Sequence, residues 1–264
     1  METFIYRLDQ WITATNWQIP TPKAYGVFHL SFTLIGFLVC GLLAYRLRNI
    51  SQKASRRLLI GIGVFLMATE VYKQLLYCLV IHESSYPWSI FPFQLCSVPM
   101  YLCIIAPLLK PGKLQGSLYT FMMLYNLLGG AISFAEPSGL LHGYATLTAH
   151  AMIWHMLLVF VGLYLMFSGL GGRTMLDYRR STVVFLALCL IAFTINLAFR
   201  DVSGGSINMF FIGPSNSSIV VFKQISERFG WYVSTALYIP AICLGAYLIL
   251  LVIQHVPPKK TITK

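Results

Sequence analysis

Seven long apolar runs separated by short polar stretches order this chain of 264 residues. A helix needs about 20 mostly apolar residues to cross roughly 30 Å of hydrocarbon. Stretches of that length fall at 25–45, 58–82, 90–109, 116–134, 148–170, 182–199 and 231–253. The pattern predicts an all-α fold, a polytopic bundle of seven transmembrane helices within residues 25–254. Ahead of it, in residues 1–24, Phe4, Leu8, Trp11, Ile12 and Thr15 share one helical face opposite Glu2, Arg7 and Asp9. With Pro20 and Pro22 as a stop, this predicts an amphipathic helix on the membrane surface, or one packed as a lid over the bundle. No basic region leads into an uninterrupted apolar core there, so the segment does not read as a signal peptide. The longest polar interval, 200–230, carries GG, GP and SNSS, which are turn and loop signals.

Composition agrees with the pattern. Hydrophobic residues make up 57% of the chain, charged ones only 10%, and the mean hydropathy is +0.72, which excludes an ordinary soluble domain. The net charge of +11 is unevenly placed. One set of loops holds Arg46, Arg48, Lys53, Arg56, Arg57, Lys110, Lys113, Arg173, Arg179 and Arg180, together with Lys259, Lys260 and Lys264 in a basic tail at 255–264. The opposite set holds Arg7, Lys23, Arg200, Lys223 and Arg228. Positive loops stay inside, so the N-terminus is expected out and the C-terminus in. The charge is then a matter of topology, and no nucleic-acid partner is needed to explain it.

The second run contains TEVYKQLLY, which places Glu70, Lys73, Gln74 and Tyr77 at helical spacings of three, four and seven. A charge in mid-bilayer costs at least about 2.5–3.5 kcal/mol, so Glu70 and Lys73 are expected to face the interior and one another. Such a pair can fix packing, hold an anionic substrate group or relay a proton. By depth, Gln94, Cys96 and Ser97 lie within about two turns of the outer edge of the third run. His150 enters with the first turn of the fifth run and His155 sits about 10 Å deep in it. Asn196 and Arg200 end the sixth. Polar groups from four runs are thus expected to gather in the outer half of the bundle.

Cys96 is the candidate nucleophile, because a thiol reacts once a nearby imidazole or cation stabilises its thiolate. Pro92 and Pro99 disturb the helix around it and free backbone groups able to hold an oxyanion. Two competing readings remain open: an inert small hydrophobe, or a disulfide with Cys78, which stands at similar depth on the outward side. Cys40, Cys103, Cys189 and Cys243 read as inert. His150 and His155 differ by five residues, about 140° around a helix, so a shared zinc is not expected. No cofactor is predicted. Asn126 and Asn196 suit interhelical hydrogen bonding, and Gly129, Gly130 and Ser133 suit close helix approach.

Taken in order, Glu70 and Lys73, QLCSVPMYL, YNLLGGAISFAEP, AHAMIWHMLLVFVGLYL and TINLAFR with the loop after it resemble the YwaF-type integral membrane proteins. That bacterial group is related to the eukaryotic transmembrane protein 164 family, and the resemblance runs over roughly residues 58–247. It implies acyl transfer to phospholipids through an active-centre cysteine that maps onto Cys96, with a histidine partner in AHAMIWH, His155 or His150. Bacterial members commonly show His where this chain has Gln94.

The leading expectation is therefore a multi-pass cell-membrane acyltransferase acting on phospholipid or lipoprotein acyl groups. Cys96 with His155 or His150 would be catalytic, and Glu70, Lys73, Gln74, Tyr77, Gln94, Asn126, Asn196 and Arg200 would bind substrate, Lys73 and Arg200 at phosphate. Its partner is a membrane lipid or acyl-lipid. The alternatives are a small transporter or ligand-sensing bundle built on the Glu70–Lys73 pair, and a metal-dependent membrane hydrolase.

Overall fold

The computed structural model describes residues 2–82 and 86–256, with side chains from Arg7 onward. Most of the basic tail, and Glu2 and Phe4 of the N-terminal amphipathic pattern, lie outside that description. Among the described residues every regular element is helical. In chain order they are α1 (Glu2–Thr13), α2 (Val27–Leu47), α3 (Gln52–Ile81), α4 (Val98–Leu108), α5 (Lys113–Ala135), α6 (Ala145–Ser168), α7 (Met175–Ala198), α8 (Val220–Phe229) and α9 (Trp231–His255). Six of these, α2, α3, α5, α6, α7 and α9, are long and apolar enough to cross a membrane.

The third of the seven expected spans is not a full helix. Only its second half is helical: α4 has 11 residues, about 16 Å at 1.5 Å per residue, half a bilayer core. Before it come a short 3₁₀ turn, Trp88–Ile90, and an irregular stretch at 91–97. Two prolines set the break. Pro92 has no N–H to give a helix and drives Phe91 to extended backbone (ψ 132°), whereas Pro99 sits in the first turn of α4, where a missing donor is harmless. At the far end, Gln115 Nε2 donates to the carbonyls of Ala106 (2.9 Å) and Leu109 (3.1 Å).

The axis of the bundle is α6, apolar on all sides and packed against α2, α3 and α5. Of its apolar window 67% is buried, against 17% for α2, which faces outward. Contact between α5 and α6 is backbone-close: a Cβ on Gly162 would stand 2.6 Å from Leu127 Cβ, and one on Gly130 would stand 3.1 Å from the His155 carbonyl. Gly129 and Ser133 do not share in this packing, because no atom lies within 4 Å of a Cβ built on Gly129 and the Ser133 hydroxyl bonds the Gly129 carbonyl.

Alternation of the long helices puts the connections at 48–51, 109–112 and 169–174 at one end. There Arg173 donates to the carbonyls of Val256 (2.7 Å) and Met166 (2.8 Å), tying the C-terminal ends of α9 and α6 together. At the other end lie 82–97, 136–144 and 199–219. The segment after α1 is stitched to the start of α6 there by Ile19 N to Gly143 O (2.9 Å) and Ala145 N to Trp17 O (2.8 Å). Leu8 and Ile12 of α1 pack with Leu76, Leu147 and the Tyr77–Ile81 segment, so α1 lies over the ends of α3 and α6.

Gly162→Val should therefore cost about 1–3 kcal/mol through overpacking against Leu127. Unfolding in detergent checks this: Gly162→Val should melt well below the parent, and Gly129→Ala should not.

Candidate functional site

Breaking a helix inside a membrane strands its carbonyls, since hydrocarbon offers no donors. Here the donors come from side chains on four helices. Gln74 of α3 donates to Ile90 O (2.8 Å), Tyr101 of α4 to Pro92 O (2.8 Å), Asn126 of α5 to Leu95 O (3.3 Å) and Trp154 of α6 to Cys96 O (2.9 Å). The broken segment is thereby clamped to α3, α4, α5 and α6.

The Glu70–Lys73 pair belongs to this clamp. Lys73 Nζ lies 2.8 Å from Glu70 Oε1, and Gln74 Nε2 reaches the same oxygen at 2.7 Å while holding Ile90. Glu70 is buried and Lys73 largely so. In the loop before α6, His142 is held below its ordinary pKa, first by burial and then by Lys73, against the opposing hydrogen bond with the Gly139 backbone. It is thus neutral at neutral pH.

A second set of amides fixes the long loop after α7. Gln94 Nε2 donates to Asn208 O (3.0 Å) and Gln94 Oε1 accepts from Phe210 N (2.9 Å). Asn196 donates to the carbonyls of Met209 (3.0 Å) and Gly213 (2.8 Å) and accepts from Met209 N (2.6 Å). These bonds hold Phe210 and Phe211 at φ +58°, the left-handed region, which costs about 1–3 kcal/mol per residue and concentrates at functional sites.

Between these supports lies a cavity of about 420 Å³, within the usual range for ligand sites. Cys96 and His155 both line it. Its walls are mainly apolar, with Leu128 and Ile132 from α5, Leu158 from α6, Phe222 from α8 and Ile242 from α9. Ile132 is half exposed at the bundle surface, so the cavity reaches the flank between α5 and α9. Toward the loops it is bordered by Glu136, which accepts from the Ser138 hydroxyl (2.8 Å).

Cys96 directly precedes Ser97, the N-cap of α4. Among the described residues the peptide N–H groups of Leu95 and Cys96 donate to no backbone carbonyl. The His155 Nδ1 lies 2.8 Å from Ala151 O. A carbonyl only accepts, so Nδ1 carries the proton and Nε2 is left as the basic nitrogen. All six cysteines are free, Cys78 and Cys96 included, so the expected alternative of a bridge between them is not realised.

Of the residues singled out from sequence, Cys96, His155, Gln94 and Asn126 meet at the cavity, and Glu70, Lys73, Gln74, Tyr77, His150, Asn196 and Arg200 do not line it. His150 instead packs 5.2 Å from the Trp154 ring with its Nε2 buried and unpartnered. Tyr77 stacks on His82 at the π-helical end of α3. Arg200 is exposed on the loop. No group of three or more His, Cys, Asp or Glu is placed to hold a metal among the described residues. Cavity residues missed from sequence include Ser133, Glu136, Phe211 and Tyr238. Gly129, Ser133 and Glu136 recur at four and three residues, a helical face that periodicity could have revealed. Nothing in the local sequence marks Tyr238. A π-helical turn at Met122–Asn126 turns Asn126 into the site, and its Oδ1 is buried without a partner.

Fold and site define a polytopic α-helical membrane protein with a thiol and an imidazole in a cavity beside a broken helix. The chain belongs to the TMEM164 family, whose model matches residues 24–252. Comparison with curated proteins and with solved structures gave no match.

Trp154→Phe should leave the buried Cys96 carbonyl unpaired at a cost of about 1–3 kcal/mol. Its melting point in detergent should fall, with the larger part of the loss confined to amide exchange around residues 91–97.

Proposed function

We propose that this protein is a membrane transacylase that carries an acyl group between lipids as a thioester on Cys96. The observation that carries the reading is the shared cavity: a thiol at a helix N-terminus and a histidine whose Nε2 is left basic line one apolar chamber that reaches the flank of the bundle. Membership of the TMEM164 family supports it.

The chemistry balances without a cofactor. Cys96 gives its proton to His155 Nε2 and its sulfur attacks the carbonyl carbon of a lipid ester. The tetrahedral oxyanion accepts from the peptide N–H groups of Leu95 and Cys96. When the C–O bond breaks, the departing alcohol takes the proton from His155, leaving the thioester. An acceptor hydroxyl then gives His155 its proton and attacks that thioester, and the departing thiolate recovers a proton from the imidazolium. Apolar walls keep water from intercepting the thioester. Asn126 acts by positioning, its amide donating to the Leu95 carbonyl (3.3 Å) beside the thiol. Glu70 and Lys73 act by positioning, through Gln74 and the segment at 88–97.

In the same reading the half-helix and its irregular lead-in complete a seventh crossing, and the chain runs N-terminus out and C-terminus in. Because the loop ends at 82–97 and 136–144 then face outward, the cavity serves the extracytoplasmic leaflet. The α1 helix rests at that surface with Trp11 and Trp17 exposed toward the headgroups.

A long-chain acyl thioester should label purified protein at Cys96, as mass spectrometry of peptides would show. Cys96→Ala should abolish the label and His155→Gln should slow it about 10²- to 10⁴-fold. Lipid profiles of cells carrying Cys96→Ala that match the parent would overturn the assignment.

A further inference from the structure

Among the buried side chains described at the cavity, the hydroxyl of Tyr238 has no assigned task. Contributed by α9, Tyr238 is only 4% exposed and lines the cavity together with Cys96 and His155. Its ring is held perpendicular to Phe222 at 5.1 Å between centroids, so the direction of the hydroxyl is fixed by packing. Tyr125, the other buried tyrosine lining the cavity, has its hydroxyl engaged with Thr182 (2.7 Å). Among the described residues the Tyr238 hydroxyl makes no hydrogen bond, and its oxygen is not fully enclosed by protein atoms. A buried phenol normally finds a partner.

An unused donor that shares a chamber with a nucleophilic sulfur suits the oxygen of whatever carbonyl that sulfur attacks. We infer that the Tyr238 hydroxyl is a catalytic hydrogen-bond donor to the carbonyl oxygen of the acyl group at Cys96, completing from α9 the oxyanion site begun by the Leu95 and Cys96 peptides. The inference rests on the acyl-transfer reading. As the S–C bond forms, the π pair of the carbonyl moves onto oxygen and that oxygen accepts from Tyr238 without taking its proton. As the C–O bond to the leaving alcohol breaks, the pair returns and C=O is restored.

Tyr238→Phe removes the oxygen and keeps the ring against Phe222. Two rates at Cys96 are compared by peptide mass spectrometry, acylation by a long-chain thioester and alkylation by iodoacetamide. The first develops an oxyanion and the second does not. In Tyr238→Phe the acylation rate at saturating thioester should fall about 100-fold, with the half-saturating concentration little changed and alkylation at the parental rate. Parental acylation in Tyr238→Phe, with acylation lost in Cys96→Ala, overturns the role of Tyr238 and leaves the transacylase reading standing. An equal fall in alkylation also overturns it, since the hydroxyl would then act on the thiol. Acyl label that persists in Cys96→Ala removes the transacylase reading, and this inference with it.

Discussion

The structure depends on one constraint: carbonyls set free by a broken membrane helix must find donors inside the protein. Ile90, Pro92, Leu95 and Cys96 lose their helical partners together, and Gln74, Tyr101, Asn126 and Trp154 replace them from four helices. A buried carbonyl left alone costs about 1–3 kcal/mol, so the break persists only where these side chains converge. In return the backbone ends its irregular course at the N-terminus of α4, with Cys96 beside it. A continuous helix would have placed the same thiol on an apolar surface with its backbone donors closed.

This constraint reassigns the buried polar residues. Gln74, Gln94 and Asn196 look like substrate ligands when viewed as hydrophilic atoms in an apolar run, yet each bonds backbone. The Glu70–Lys73 pair finds its use in the same arrangement, since Glu70 Oε1 accepts from both Lys73 and Gln74 and so sets the rotamer that reaches Ile90. Isolated, Glu70 would be a costly buried charge; shared between two donors, it is a fixed point for the segment that carries the thiol. Cys96, His155 and Tyr238 stand apart from that clamp, lining the cavity without a bond to the broken segment's carbonyls.

Much of this was legible in the chain. The apolar runs at 25–45, 58–82, 116–134, 148–170, 182–199 and 231–253 each became a helix of membrane length. The ion pair was readable from a spacing of three, and Cys96 with a histidine from the fifth run was readable from depth alone. The run at 90–109 misled because mean hydropathy counts Pro92 and Pro99 as mild residues and is blind to the N–H they lack. Choosing His155 over His150 was not possible either, since both lie in one helix and only packing shows which ring meets the cavity. Tyr238 was hidden because an aromatic in an apolar span gives no signal until its neighbours are known.

By itself, then, the amino-acid sequence determined a membrane-embedded helical bundle and the residue types available for chemistry, because hydrophobic length acts locally along the chain. Only the tertiary structure decided where the third segment breaks, which amides serve backbone and which atoms are left facing the cavity. Those outcomes depend on donors brought together from distant positions, such as Gln74 with Ile90 and Trp154 with Cys96. A hydrogen bond between them exists only once the helices have packed.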